Sequence, residues 1–95
     1  MNSYEAVFIL SAALDADAAE KTVEDIKSVI TKNKGEVADV QNWGKKRFSF
    51  LIKKQVEGYY YLANFQIDPL MIKKLESTYR LNDSILRVLI VRKDA

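Results

Sequence analysis

Tyr59, Tyr61, Ala63, Phe65 and Ile67 recur at strict period two, and Phe48, Phe50 and Ile52 do the same just before them. A repeat at every second residue marks a β-strand with one face in a core, because successive side chains point to opposite sides. Between the two runs, Lys53-Lys54-Gln55-Val56-Glu57-Gly58 is polar enough to turn the chain. Two alternating runs joined by so short a segment can pair only antiparallel, so any fold of this chain must contain one long hairpin.

The flanks supply the remaining elements. Tyr4-Glu-Ala-Val-Phe-Ile-Leu10 is rich in aromatic and β-branched residues and reads as a strand apolar on both faces. Asp15 or Asp17 then serves as N-cap of a helix, with Glu20 at capping-box distance from Asp17. Ala19, Val23, Ile26 and Ile30 form its apolar stripe, and Gly35, after Lys32-Asn33-Lys34, is the expected stop. Val37 and Val40 lead through Trp43-Gly44 into the basic run Lys45-Lys46-Arg47 that opens the hairpin. Asp68-Pro69 starts a second helix striped by Met71, Ile72, Leu75 and Tyr79, since a proline in the first turn loses no hydrogen bond. Asn82-Asp83-Ser84 ends it, and Ile85 to Arg92 is a last strand with Leu86, Val88 and Ile90 on one face.

The order βαββαβ predicts an α+β, ferredoxin-like split βαβ fold in which two helices cover one face of a four-stranded antiparallel sheet. Ninety-five residues with 48% hydrophobic content suit one such domain over residues 1–95. The first and third strands should be central, which puts Val7, Ile9, Tyr60 and Leu62 on the uncovered face beside Leu89 and Val91. An antiparallel sheet normally turns polar side chains to water, so an apolar patch there reads as a protein-docking surface, interrupted by Glu5, Asn64 and Arg87. Phe8, Phe48, Phe50, Tyr59, Tyr61 and Phe65 are expected on the helix side.

Composition narrows the chemistry. With neither cysteine nor histidine, the chain lacks disulfides, thiolate metal sites and the commonest general base. No catalytic residue, metal or cofactor is expected. Asp15, Asp17, Glu20, Glu24 and Asp25 fall in the first turns of a helix, where negative charge suits the dipole, and Gly35, Gly44 and Gly58 each suit a turn. Acylphosphatases share this strand order, but their phosphate loop needs an arginine and glycines where this chain has Ser11-Ala-Ala-Leu-Asp-Ala-Asp17. No small-molecule substrate is therefore expected. No segment reaches the roughly 18 apolar residues of a membrane span and Met1 to Leu10 has no basic leader, so a cytosolic protein without a membrane partner is expected.

Charge points to a polyanion. Residues 1–44 carry four Lys/Arg against eight Asp/Glu, and residues 45–95 carry eleven against five. Lys45, Lys46 and Arg47 on the hairpin, Lys53 and Lys54 at its tip, and Arg80, Arg87 and Arg92 from the second helix and last strand are the candidate RNA-backbone contacts. Stacking of bases on the sheet, as in RNA-recognition modules, is not expected, because the central strands offer Val7, Ile9 and only Tyr60. A stand-alone regulatory domain that homodimerises through its open sheet is the competing reading.

Tyr4-Glu5, the segment Trp43-Gly44-Lys45-Lys46-Arg47-Phe48-Ser49-Phe50-Leu51-Ile52, and Leu75 through Tyr79-Arg80-Leu81-Asn82-Asp83 to Leu86-Arg87-Val88-Leu89-Ile90 closely resemble the family of the sixth small-subunit ribosomal protein of bacteria. The resemblance runs the length of the chain. It implies a structural constituent of the small subunit that binds the central domain of 16S ribosomal RNA as a heterodimer with the eighteenth small-subunit protein. It also implies that Lys45, Lys46 and Arg47 face RNA, with Lys53, Lys54, Arg80, Arg87 and Arg92 beside them. Many relatives have basic residues where this chain has Asn2-Ser3, and a proline at Leu51. The chain stops at Ala95, so a long carboxy-terminal grip on the neighbour is not expected.

Overall fold

A computed structural model describes residues 1–93; the expectation about the chain end at Ala95 lies outside them. Its elements are β1 (Asn2–Ser11), α1 (Ala16–Lys32), β2 (Glu36–Ile52), β3 (Gln55–Ile67), a 3-10 turn (Pro69–Met71), α2 (Ile72–Arg80) and β4 (Ile85–Arg92). The strands form one antiparallel sheet in the order β2-β3-β1-β4, so β1 and β3 are central and the architecture is the ferredoxin-like split βαβ.

The core lies between the helices and one sheet face. Tyr4, Ala6, Phe8 and Leu10 of β1, Ala63, Phe65 and Ile67 of β3, and Ile85 meet Ile26 and Ile30 of α1 and Leu75 and Tyr79 of α2. The Tyr79 ring stands edge-on to Phe8, with centroids 4.9 Å apart, and its hydroxyl donates to the Ile26 carbonyl at 2.7 Å. That bond ties α2 to α1 and satisfies a polar group that burial would otherwise penalise.

Several local expectations need correction. The hairpin does not turn over six residues: Ile52 pairs with Gln55, and the loop is Lys53 and Lys54 alone, at φ 50° and 67°. Two left-handed residues in a two-residue loop give the twist that paired strands require, and lysines take a conformation usually left to Asn and Gly. Gly58 therefore lies inside β3, not in a turn. Asp15 is the N-cap, accepting from the Ala18 N–H at 2.7 Å. The left-handed residue closing α1 is Lys34 (φ 66°), not Gly35; the Gly35 N–H bonds the Ile30 carbonyl at 2.9 Å and that of Lys34 the Thr31 carbonyl at 3.0 Å. The first turn after Asp68 is 3-10, with the Asp68 carboxylate accepting from the Leu70 N–H at 2.9 Å.

The largest correction concerns facing. β2 slips register against β3 between Val37 and Asp39, between Asn42 and Gly44, and beyond Arg47. The first two slips add one residue on β2 and the third adds three, and an odd number of extra residues on one strand reverses which face the following side chains take. Phe48, expected on the helix side, lies on the open face, its ring 6.2 Å from that of Tyr60. Phe50, expected in the core, is exposed. On β4 a bulge opposite Ile9 and Leu10 lets Ile85, not Leu86, pair with Leu10 and enter the core cluster.

Candidate nucleic-acid and protein interface

The open face is arranged in cross-strand rows. Leu89, Val7, Leu62 and Gln41 stand side by side; Arg87, Ile9, Tyr60 and Gly44 form the next row; Val91, Glu5, Asn64 and Asp39 form the row beyond. The six candidate partner residues Val7, Ile9, Tyr60, Leu62, Leu89 and Val91 thus share one surface. They differ in what they offer. Leu89 is 61% exposed, whereas Ile9 is only 8% exposed, covered on its own sheet where Tyr60, Phe48 and Gly58 crowd together.

The basic run divides between faces. Lys45 lies opposite Tyr59 on the helix side, its ammonium 5.9 Å from that ring's centre and 3.6 Å from the Glu57 carboxylate. Arg47 lies opposite Glu57 itself, on the same side. Lys46, opposite Gly58, turns to the open face, where its ammonium sits 5.7 Å from the Trp43 ring centre and 5.8 Å from that of Tyr60. Such separations are within the reach of a cation–π attraction. Lys45, Lys46 and Arg47 are therefore not one patch, because neighbours on a strand point in opposite directions.

A different set converges. The hairpin tip lies over the start of β4, where the Lys53 ammonium reaches the Ile85 carbonyl at 3.5 Å. Lys53, Arg80 and Arg87, from three separate elements, line one concavity of about 370 Å³ with Ile85, Leu86 and Val88, and among the described residues no carboxylate lines it. Arg80 also holds Glu76 at 3.4 Å. Lys54 faces the other way, into a shallow depression with Ala12, Ala13 and Glu57. Arg92 pairs with Tyr4 across the β1–β4 ladder, away from this concavity. A larger groove of about 680 Å³ between α1 and β2 is lined by Asp17, Glu20, Glu24, Lys21, Asn42 and Tyr61. Its charge is wrong for phosphate, and burial, with Tyr59 and Glu20 nearby, raises the Tyr61 hydroxyl above its ordinary pKa.

Sequence reasoning missed Trp43 and Phe48 as members of the open face. The signal was present, because an isolated glycine inside a strand marks a bulge, and Gly44 takes φ 82° next to Trp43. A chain of polar contacts then fixes the edge. The Gly44 N–H donates to the Asn42 side-chain carbonyl at 2.8 Å, the Trp43 indole N–H to Gln41 at 3.3 Å, the Gln41 amide to Asp39 at 3.2 Å and the Asn64 amide to Asp39 at 2.8 Å. The Asn64 and Gln41 donors hold the Asp39 carboxyl below its ordinary pKa.

Among known proteins, the family model described as ribosomal protein S6 matches residues 3–92. The small ribosomal subunit protein bS6 of Clostridium acetobutylicum is 46% identical over 91 residues, covering 96% of each chain, and that of Thermoanaerobacter pseudethanolicus is 40% identical over 94 residues, covering 99% of each. The crystal structure of 30S ribosomal protein S6 from Thermotoga maritima superimposes with a TM-score of 0.91 at 31% identity, covering 97% of this chain and 87% of that one.

Proposed function

The chain belongs to the ribosomal protein S6 family, and from that premise we propose that it binds the central domain of 16S ribosomal RNA together with the eighteenth small-subunit ribosomal protein. Membership makes it a structural constituent of the small ribosomal subunit, in the cytoplasm. The finer reading concerns which surfaces do the binding.

RNA binding rests on the concavity where Lys53, Arg80 and Arg87 meet with no carboxylate among the described residues that line it. Lys53 and Arg87 converge there with Arg80, whose charge Glu76 offsets in part, and a phosphate between them removes the remaining repulsion. Lys46 and Arg47 add charge along β2 on its two sides, and Lys54 and Arg92 extend it outward. These contacts position backbone and read no bases, so affinity depends on salt. The protein partner fits the other surface: Val7, Leu62 and Leu89 in one row, with Val91 and Tyr60 beside them, are apolar on a face that none of the described elements covers. Ile9 supports that surface from beneath.

The test is RNA affinity of the heterodimer as a function of salt. Replacing Lys53, Arg80 and Arg87 by alanine should lower the slope of log affinity against log salt by about 0.9 for each phosphate that is no longer neutralised. Replacing Lys45, Lys46 and Arg47 should have a smaller effect per residue, because they point to two faces of β2 and do not converge on one phosphate, whereas Lys53, Arg80 and Arg87 line one concavity. A slope unchanged in the first variant defeats the assignment.

A further inference from the structure

On the open face, β2 carries an aromatic and a cation at its bulge whose arrangement backbone binding does not explain. Trp43 is the chain's one tryptophan. The bulge between Asn42 and Gly44 sets it outside the regular ladder, and its indole N–H is satisfied by Gln41. Gln41 is in turn held by Asp39, and Asp39 by Asn64 of the neighbouring strand, so the indole is oriented by a chain of side chains across the sheet. With that support the residue remains 45% exposed. A large apolar ring placed and kept in water costs solvation free energy that a collapsed rotamer would recover.

The cation narrows what can cover it. Lys46 lies within 6 Å of the centres of both Trp43 and Tyr60, and among the described residues no carboxylate stands within salt-bridge distance of it. An apolar protein surface laid over Trp43 would strip water from that ammonium without returning a negative charge, which is unfavourable. A nucleotide brings a flat π face and a phosphate in one unit, so both groups are answered together.

We propose that Trp43 is the stacking platform for a single unpaired nucleobase of the bound RNA, with Lys46 neutralising a phosphate beside that base. The inference rests on the RNA-binding reading above and adds a contact to a base where that reading has contacts to backbone alone. It also revises the expectation that no base stacks on this sheet, which considered the central strands and omitted β2.

The experiment uses the full chain, labelled with 5-fluorotryptophan, in complex with the eighteenth small-subunit protein and titrated with central-domain RNA. The single fluorine resonance should shift on adding RNA. Trp43→Ala should weaken binding by about 5- to 150-fold at an unchanged salt slope, the range for one base stacked on an aromatic ring. Trp43→Phe should recover most of that affinity, and Lys46→Ala should lower the slope by about one. Because Trp43 is half exposed and outside the core, heterodimer formation by each variant verifies its fold. Full affinity in Trp43→Ala overturns the inference and leaves the backbone reading standing. A resonance that moves when the protein partner is added, and not on RNA, overturns it in favour of a protein contact. Failure of the wild-type complex to bind RNA removes both readings.

Discussion

Tyr79→Phe is the sharpest test of how the two helices are held. The substitution removes one oxygen and leaves the ring against Phe8, so no cavity of consequence forms. It abolishes the bond from the Tyr79 hydroxyl to the Ile26 carbonyl, at 2.7 Å and inside the core. A neutral buried hydrogen bond contributes about 0.5–1.5 kcal/mol net. Ile26 lies mid-helix, where its carbonyl also serves α1, so the acceptor is not left bare and the lower half of that range applies. For a domain of this size a decrease of about 1 kcal/mol lowers Tm by about 4–8 °C, readable by calorimetry or circular dichroism. The pH dependence adds a signature. Burial raises the Tyr79 hydroxyl above its ordinary pKa of 10.0, so above pH 10 the unfolded chain releases a proton that the folded one retains. The stability tied to this group is complete below pH 10 and is lost as pH rises toward the folded value, at about 1.4 kcal/mol per pH unit. The variant has no such proton. The wild-type advantage should therefore hold from neutral pH to about pH 10, vanish within roughly one further unit and then reverse. An advantage that persists unchanged at pH 11, or a variant as stable as wild type at pH 7, would refute the reasoning.

Gly58→Ala should destabilise by about 1–3 kcal/mol in urea titration, since the new Cβ would lie 2.7 Å from the Leu10 carbonyl oxygen and 2.8 Å from the Ile9 methyl, and backbone cannot step aside cheaply; unchanged stability would show the sheet to be softer than this packing implies. Replacing Lys53-Lys54 by Asn-Gly should raise stability by about 1 kcal/mol by relieving two left-handed lysines, while weakening RNA binding because Lys53 is removed. A gain in stability with intact affinity would acquit Lys53. Asn64→Ala should raise the Asp39 carboxyl pKa toward its ordinary value, as read by carboxyl carbon NMR. Because a depressed carboxylate contributes stability above its unfolded pKa and loses it as pH falls through the folded value, the variant should lose less stability than wild type on acidification below about pH 4.

Much of the architecture is legible in the order of residues. Helix and strand periods, a cap at Asp15 or Asp17 and the Asp68-Pro69 start follow from local pattern, since each depends on neighbours within a few residues, and the element order βαββαβ then places β1 and β3 at the centre of the sheet. The apolar open face is legible for the same reason: Val7, Leu62 and Leu89 alternate with core residues on regular strands. The site is less so. Lys45, Lys46 and Arg47 stand together in sequence yet separate across the strand, and Phe48 and Trp43 join a face that alternation counted from the turn does not assign to them.

By itself, then, the chain's periodicity determined which segments are helix and strand, most of the core on β1, β3 and the helices, and the apolar character of one sheet face, because hydrophobic spacing at periods of about 2 and 3.6 is a local property. Only the tertiary structure decided how the candidate site is assembled. A bulge reverses facing without changing hydrophobicity, so the pairing of Lys46 with Trp43 and Tyr60 is invisible until register is known. Likewise Lys53 shares a concavity with Arg80 and Arg87 because a two-residue loop sets the hairpin tip over β4, where Lys53 reaches the Ile85 carbonyl across 32 residues, a proximity that no local pattern encodes.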